Sequence, residues 1–330
     1  MGFLVNGQWE AVWYETEATQ GEFKRMESVF RNWITADGQA GPMGTDGFKA
    51  EANRYHLYIS LACPWAHRVL IMRHLKGLEE IISVSVVNAH MNDAEGWTFD
   101  TGPGVVEDSV NHKRLLHQIY TLAKPDFSGV VSVPLLWDKK LQTAVNNESS
   151  EIIRMFNSAF DHLGATPGDY YPLALQAQID EINEFVYHNI NNGVYQAGFA
   201  TKKAPYERAV TKLFAALDFC EEHLTNQRYL VGSQLTEADI RLFTTLIRFD
   251  AVYYGHFKCN LKRIIDYPNL FNYLLDIYQH EGIDETVDLD YTKAHYYGSH
   301  DTINPTGIIP LGPIQDFKQA HNRNRFDKNG

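Results

Sequence analysis

The chain contains 330 residues and carries a formal net charge of −12; 44% of its residues are hydrophobic and 21% are charged. This composition is that of an ordinary globular protein, long enough to form two domains. The acidic balance argues against nucleic acid or an anionic membrane as a partner, because both are held by clustered basic residues.

The first half of the chain predicts alternating strands and helices. Residues 1–50 are rich in Trp, Phe and Gly and predict irregular backbone, apart from a short helix at MESVFRNWI and a loop at GQAGPMGTDG. From residue 51 the periodicity becomes regular and predicts the order β-α-β-α-β-β-α. The segments are, in chain order, YHLYIS, WAHRVLIMRHL, IISVSVV, NHKRLLHQIYTLA, VSVPLLWD, LQTAV and NNESSEIIRMFNSAF.

After residue 165 the pattern becomes almost entirely helical. The helical segments are PLALQAQIDEINEFVYHNI, a run through KLFAALDFCEEHL, TEADIRLFTTLIRFDAVYY and NLFNYLLDIYQ. Thr236 and Asp239 form a capping box, with Leu235 placed as a hydrophobic staple, and we assign these residues a structural role.

The cysteines, the termini and the hydropathy indicate a compartment. Three cysteines, odd in number and far apart, argue against a disulfide framework and against a zinc site, so no bound metal is expected. The chain start lacks a secretory signal, and no apolar run approaches the roughly 20 residues that span a bilayer. We therefore expect the protein to be located in the reducing environment of the cytoplasm.

Cys63 is the candidate nucleophile. It stands between a strand and a helix, with Pro64 at the first helical position, and the positive end of the helix dipole favours the ionised thiolate. His67 and Arg68 lie in the first turn and could add to this effect, but such residues also suit a solvent-facing position, so they are left out of the catalytic set. The alternative for Cys63 is a small buried hydrophobe. Ala66 stands where a dithiol motif has its second cysteine, so an external thiol must resolve a mixed disulfide.

The other two cysteines lack this setting. Cys220 and Cys259 lie in the helical half of the chain and are predicted to be structural.

Two further stretches predict a peptide-like ligand. Pro134, in SVPLL, cannot donate to a sheet; a cis Val133–Pro134 bond beside the cysteine would leave the backbone of Val133 to pair with an extended peptide, whereas an edge-strand proline is the alternative. The stretch Asn147–Ser150 opens a helix and offers backbone amides to a carboxylate and Glu148 to an ammonium, which together describe a γ-glutamyl group. Taken alone, this stretch is a helix cap.

CPWAHR, SVP and NESSEII, followed by an all-α domain, resemble the glutathione transferase superfamily. The whole chain resembles the glutathionyl-hydroquinone reductases, the xi class, from RNW near residue 32 through GWTFD, NNGVYQAGFA and LTEADIRL to HYYGSHDTINPTGIIPLGP. The resemblance implies an α/β thioredoxin-like N-terminal domain at 51–160 and an all-α C-terminal domain at 165–285. It also implies an N-terminal extension (1–50), a tail (286–330) packing near the active site, and a homodimer.

The activity that the resemblance implies is reduction of glutathionyl-hydroquinones to hydroquinones. Glutathione is the co-substrate and no cofactor is tightly bound; Cys63 forms a mixed disulfide with glutathione, which a second glutathione resolves. The residues implied are Tyr195 and Tyr296 for proton transfer, and Trp97, Val133, Pro134, Glu148 and Ser149 for glutathione. Judged by composition, each tyrosine is one of 18 and would be a core or interface residue, and Trp97 would close the hydrophobic base of a loop.

Other functions remain open at this stage. A general thioltransferase or dehydroascorbate reductase would share Cys63 and the glutathione site without needing the tyrosines. A non-catalytic binding protein on the same fold is a further alternative, although the retained Cys63 argues against it. A conjugating transferase gains nothing from a nucleophilic cysteine and is the least expected.

Overall fold

The computed structural model describes residues 2–11, 16–42 and 47–327. Its strands are β1 (Phe3–Val5), β2 (Gln8–Glu10), β3 (Trp33–Thr35), β4 (Gly47–Lys49), β5 (Tyr55–Ile59), β6 (Ser83–Val86), β7 (Gly129–Val130), β8 (Leu135–Asp138) and β9 (Thr143–Asn146). Its α-helices are α1 (Pro64–Leu75), α2 (Leu116–Ala123), α3 (Ser149–Ser158), α4 (Gln176–Val186), α5 (Gly193–Gly198), α6 (Lys203–His223), α7 (Glu237–Arg248), α8 (Pro268–Tyr278) and α9 (Leu289–Ser299).

The chain divides into two compact units. The first unit consists of Met1–Tyr14, Met26–Asp169 and Asp290–Ser299, and the second consists of Glu15–Arg25, Tyr170–Leu289 and His300–Gly330. The N-terminal extension and the C-terminal tail are therefore each divided between the two units. This division depends on tertiary contacts, so the order of segments along the chain does not reveal it.

The first unit contains the predicted α/β succession. Its four-stranded sheet has the order β6-β5-β8-β9, in which β5 is parallel to β6 and antiparallel to β8. All five residues of β5 are buried, as expected for a strand covered on both faces. Trp65, Val69, Met72 and Leu75 have helical spacing in the sequence, and on α1 the last three are buried while Trp65 is half-buried. The predicted order β-α-β-α-β-β-α is confirmed over residues 55–158 except for one addition, the two-residue strand β7, which pairs with β1 in a separate sheet.

The helix predicted at MESVFRNWI is wrong. This segment is irregular up to β3, and its backbone pairs with the end of β9: the Asn32 amide donates to the Val145 carbonyl and the Asn147 amide donates to the Phe30 carbonyl, both at 3.0 Å. Pairing with an exposed sheet edge satisfies these groups better than an isolated helical turn would. In the predicted loop GQAGPMGTDG, residues 43–46 lie outside the described residues.

The second unit is helical, as predicted. It contains α4 to α8 and two π-helical segments, Tyr187–Asn191 and Phe249–Tyr253. The capping box is present, because the carboxylate of Asp239 accepts a hydrogen bond from the Thr236 amide at 2.8 Å. The same carboxylate also accepts the Tyr273 hydroxyl at 2.9 Å, which supports a structural role. Over the ranges that the structure describes, no helix is long and apolar enough to cross a membrane.

Candidate active site

Cys63 caps the N-terminus of α1. Strand β5 ends at Ile59, a short turn follows, and Pro64 occupies the first helical position. The Ala66 amide lies 3.5 Å from the sulfur and donates to it. The sulfur in turn lies 3.3 Å from the carbonyl oxygen of Val133. The thiol is half-buried, so it is held by the helix terminus while part of it stays accessible.

Val133 and Pro134 lie beside this sulfur. Their peptide bond is cis, as expected from the sequence. Pro134 stands immediately before β8, which lies between β5 and β9, so the alternative of an edge-strand proline is wrong. The structure therefore brings together two stretches that are 70 residues apart in the chain.

Glu148 caps α3, and Ser149 is the first residue of that helix. One oxygen of the Glu148 carboxylate accepts the amide and the hydroxyl of Ser150, at 3.1 and 2.8 Å. The other oxygen accepts the hydroxyl of Ser28 at 3.1 Å. Burial opposes ionisation of Glu148, but the hydrogen bonds from Ser150, together with the charge of Arg68, outweigh it and lower its pKa below the usual 4.5. A carboxylate accepts about four hydrogen bonds, so this anion can still meet an ammonium group.

His67 and Arg68 are both buried, so the solvent-facing position considered for them is wrong. The guanidinium of Arg68 lies 4.5 Å from the centroid of the Trp65 ring, a cation–π contact that makes burial of an arginine tolerable. Its charge acts on Glu148. Arg68 therefore contributes to the electrostatics of the candidate glutathione site through Glu148, whereas its place in the sequence suggested at most an effect on Cys63.

The N-terminal extension contributes Ser28 to this site. The Ser28 hydroxyl also lies 3.1 Å from the Asn147 carbonyl, and the Phe30 amide donates to the Asn147 side chain at 3.0 Å. Farther along, Arg31 forms an ion pair with Glu151. No local pattern indicates these contacts, because each joins residues about 120 positions apart.

Trp97 and Tyr296 are both linked to His295. The Trp97 ring stacks on the imidazole of His295, with centroids 4.8 Å apart and planes inclined by 24°. Tyr296 follows on α9, and its ring meets the same imidazole edge to face at 5.2 Å. All three side chains are buried. The family resemblance implied Trp97 and Tyr296 but not the histidine between them.

Tyr195 lies in the second unit, on α5. The guanidinium of Arg25 lies 4.7 Å from the centroid of its ring. Arg25 is itself held by the side-chain oxygen of Asn192, which its Nε reaches at 2.9 Å. The rings of Phe199 and Phe257 lie 5.8 and 5.5 Å from that of Tyr195. These contacts fix the ring of Tyr195 and place a cation on its face.

Comparison with known proteins gives the family. The glutathione S-transferase N-terminal domain family matches residues 62–159, and the C-terminal domain family matches residues 203–275. A glutathionyl-hydroquinone reductase of Escherichia coli, YqjG, is 59% identical over 324 residues, which cover 98% of each chain. The chain belongs to the glutathionyl-hydroquinone reductase family, the xi class of glutathione transferases. A second reductase of this family, PcpF from Sphingobium chlorophenolicum, is 56% identical over 96% of this chain and 97% of its own.

Solved structures of the xi class have the same fold. The glutathione-bound structure of YqjG has a TM-score of 0.90 and 56% identity, with 97% of this chain and 99% of that chain covered. A xi-class transferase from Natrialba magadii also has a TM-score of 0.90, at 46% identity, with 98% and 97% covered. The fold class expected from the sequence, a thioredoxin-like domain followed by an all-α domain, is confirmed.

The arrangement in the first unit suits thiol chemistry. A cysteine at a helix N-terminus favours the reactive thiolate, the backbone of Val133 lies beside its sulfur, and α3 has a positive helix end next to a carboxylate. Within residues 2–11, 16–42 and 47–327, no three His, Cys, Asp or Glu side chains are grouped so that they could hold a metal ion.

Proposed function

We propose that this protein reduces glutathionyl-hydroquinones to hydroquinones with glutathione as co-substrate. The observation that carries the proposal is the position of Cys63, at the N-cap of α1 with its sulfur 3.3 Å from the Val133 carbonyl. It occurs in a chain whose relatives of 59% and 56% identity are glutathionyl-hydroquinone reductases.

The first step is attack on sulfur. The Cys63 thiolate attacks the sulfur of the glutathionyl group, a sulfur–sulfur bond forms, and the bond from that sulfur to the aromatic ring breaks. The ring leaves with the bonding electron pair and gains a proton, so it is reduced by two electrons while the two sulfurs are oxidised. A second glutathione thiolate then attacks the mixed disulfide, which releases glutathione disulfide and the Cys63 thiolate. Ala66 offers no thiol for this step, in agreement with an external one.

Cleaving a bond from sulfur to an aromatic ring requires help from acids. If the hydroquinone first tautomerises to a ketone, the ring can leave as an enolate, whose developing negative charge needs a hydrogen-bond donor. We assign this role to Tyr296 and Tyr195, each of which has a phenolic donor and a ring surface for the substrate. What supports the assignment is the family resemblance, together with the contacts that fix each ring.

Glutathione binding is assigned to the first unit. Val133, with Pro134 behind it, pairs with the cysteinyl part of glutathione through its backbone, next to Cys63. Glu148 binds the γ-glutamyl ammonium, and the start of α3 at Ser149 binds its carboxylate. Trp97 shapes the pocket. The lowered pKa of Glu148 supports its role, because it keeps the carboxylate charged.

Two further features, the cellular location and the oligomeric state, complete the proposal. We expect a cytoplasmic location, since two of the three cysteines are buried thiols and a reducing compartment supplies glutathione. A homodimer is expected from the superfamily, and the exposed apolar side chains Ile308, Leu311 and Ile314 would suit an interface. Sedimentation equilibrium would test the dimer.

The decisive comparison uses two substrates and one variant. Wild type should turn over a glutathionyl-hydroquinone as well as a simple glutathione mixed disulfide, and Cys63→Ser should abolish both reactions. Turnover of the disulfide alone would favour a thioltransferase. Retained turnover in Cys63→Ser would remove Cys63 from the mechanism.

A further inference from the structure

Helix α9 is attached to the segment after β6 by three hydrogen bonds in register. The Tyr291 hydroxyl donates to the Val87 carbonyl. The Nδ1 of His295 donates to the Ala89 carbonyl at 2.9 Å. The Met91 amide donates to the Ser299 hydroxyl at 2.9 Å. Successive side chains are four residues apart on the helix and successive backbone partners are two residues apart.

This spacing is a geometric match. Four helical residues rise about 6 Å, and two residues of extended chain span at most about 7 Å. These two lengths are similar, so one face of α9 can run alongside the segment 87–91. We call this set of three bonds the α9 ladder.

The α9 ladder also reaches the turn that carries Cys63. The Val87 amide donates to the carbonyl of Ile59 at 3.0 Å, at the end of β5. The hydroxyl of Tyr291 lies 3.5 Å from the hydroxyl of Ser60, and the Ser60 carbonyl accepts the Cys63 amide at 3.1 Å. The helix that carries Tyr296 is thus joined by short links to the backbone that positions the nucleophile.

His295 has two functions within the ladder. Its Nδ1–H is one of the three bonds, and because a carbonyl can only accept, this bond fixes which nitrogen carries the proton and how the ring is turned. The ring so oriented is the surface on which Trp97 stacks. Burial lowers the pKa of His295 to about 4, so the ring is neutral near pH 7.

We propose that His295 is a positioning residue. Its ring holds Trp97 in position in the glutathione site, and its hydrogen bond to Ala89 holds Tyr296 in position. The inference rests on the proposed function and extends it to a residue that does not itself react. It implies that the two roles can be separated, because one substitution can remove the ring and another can remove the donor.

His295→Asn keeps a donor near the position of Nδ1 and removes the ring. An aromatic stack is worth about 0.5–1.5 kcal/mol, which corresponds to roughly 2- to 12-fold in an equilibrium constant. We expect the glutathione KM to rise by this factor with both substrates, and kcat for the simple mixed disulfide to stay unchanged.

His295→Phe keeps a ring against Trp97 and removes the donor. A hydrogen bond contributes a similar amount, so we expect kcat for the glutathionyl-hydroquinone to fall by roughly 2- to 12-fold. The glutathione KM and the disulfide reaction should not change. His162 is exposed in the same unit, so His162→Asn and His162→Phe are matched controls that should leave all parameters unchanged.

The proposal would be overturned if His295→Asn changed only kcat for the glutathionyl-hydroquinone while His295→Phe changed only the glutathione KM. Equal losses in kcat and KM with both substrates, or no change in either variant, would also overturn it. Thermal unfolding of each variant is recorded alongside, and if His295→Asn does not fold, Trp97→Leu removes the same stack from the other side and should raise the glutathione KM alike. Calorimetry of glutathione binding tests the effect on Trp97 without turnover, when Cys63→Ser is compared with and without the His295 substitutions. Failure of the proposed function would appear separately, as absent turnover in wild type.

Discussion

Glu148→Gln offers a quantitative test of the glutathione site. The substitution removes the negative charge and preserves the size of the side chain. Its remaining oxygen can still accept the Ser150 amide and hydroxyl, and its new amide group can donate to the Ser28 hydroxyl, which now accepts. The cap of α3 should therefore survive, and the loss should fall on ligand binding.

The magnitude follows from the charge. Hydrogen bonds to charged groups contribute about 1.5–3 kcal/mol, against about 0.5–1.5 for neutral pairs, so removing the charge should cost about 1–1.5 kcal/mol. This is roughly a tenfold rise in the glutathione KM, with kcat at saturation little changed. Ser28→Ala removes one of the three bonds to the carboxylate and leaves the charge, so we expect a smaller rise of about 2- to 3-fold.

The pH dependence gives a second measurement. Because the pKa of Glu148 is lowered below 4.5 in the folded protein, its contribution to stability is present above about pH 4.5 and is lost as the pH falls through the lowered pKa. In wild type, glutathione affinity should fall over the same pH range as the pH is lowered. In Glu148→Gln this fall should be absent. Glu27→Gln, at an exposed position of the extension, is the control. An unchanged glutathione KM in Glu148→Gln would refute the assignment of the ammonium to this carboxylate.

Two further predictions concern the acid and the thiols. Tyr296→Phe should slow release of the hydroquinone by about two to four orders of magnitude, the range typical of losing one general acid, while a simple mixed disulfide is reduced at the wild-type rate; stopped-flow absorbance of the product measures both, and equal slowing would favour the thioltransferase. Iodoacetamide at pH 7 should modify Cys63 and spare Cys220 and Cys259, because burial raises the pKa of Cys220 to about 12 and that of Cys259 further still; peptide mass spectrometry that finds Cys220 modified in the folded protein would contradict this.

The sequence predicted what is encoded locally. Cys63 and Pro64 identify a helix N-terminus by residue type, and the alternation in YHLYIS identifies a strand, so this part of the site and the succession of elements around it could be read directly. The chemistry of Pro134 could also be anticipated, because a proline in a strand pattern demands an explanation.

What could not be predicted depends on tertiary contacts. Nothing around Ser28 in the sequence indicates that it contacts Glu148. The segment MESVFRNWI, expected to be helical, instead pairs with the edge of β9. Arg68 resembles a solvated residue of a first helical turn until the ring of Trp65 covers it. His295 has no distinguishing feature in the sequence, because its role depends on contacts with Ala89 and Trp97, about 200 residues earlier.

The central claim is that Cys63 takes the glutathionyl group directly from the aromatic ring. The measurement is a single turnover of the protein with one equivalent of glutathionyl-hydroquinone and no free glutathione, followed by intact and peptide mass spectrometry. We expect one equivalent of hydroquinone and one glutathione in disulfide linkage to Cys63, which is released when free glutathione is added. Hydroquinone formed only after glutathione is added, or an adduct on a different residue, would contradict it.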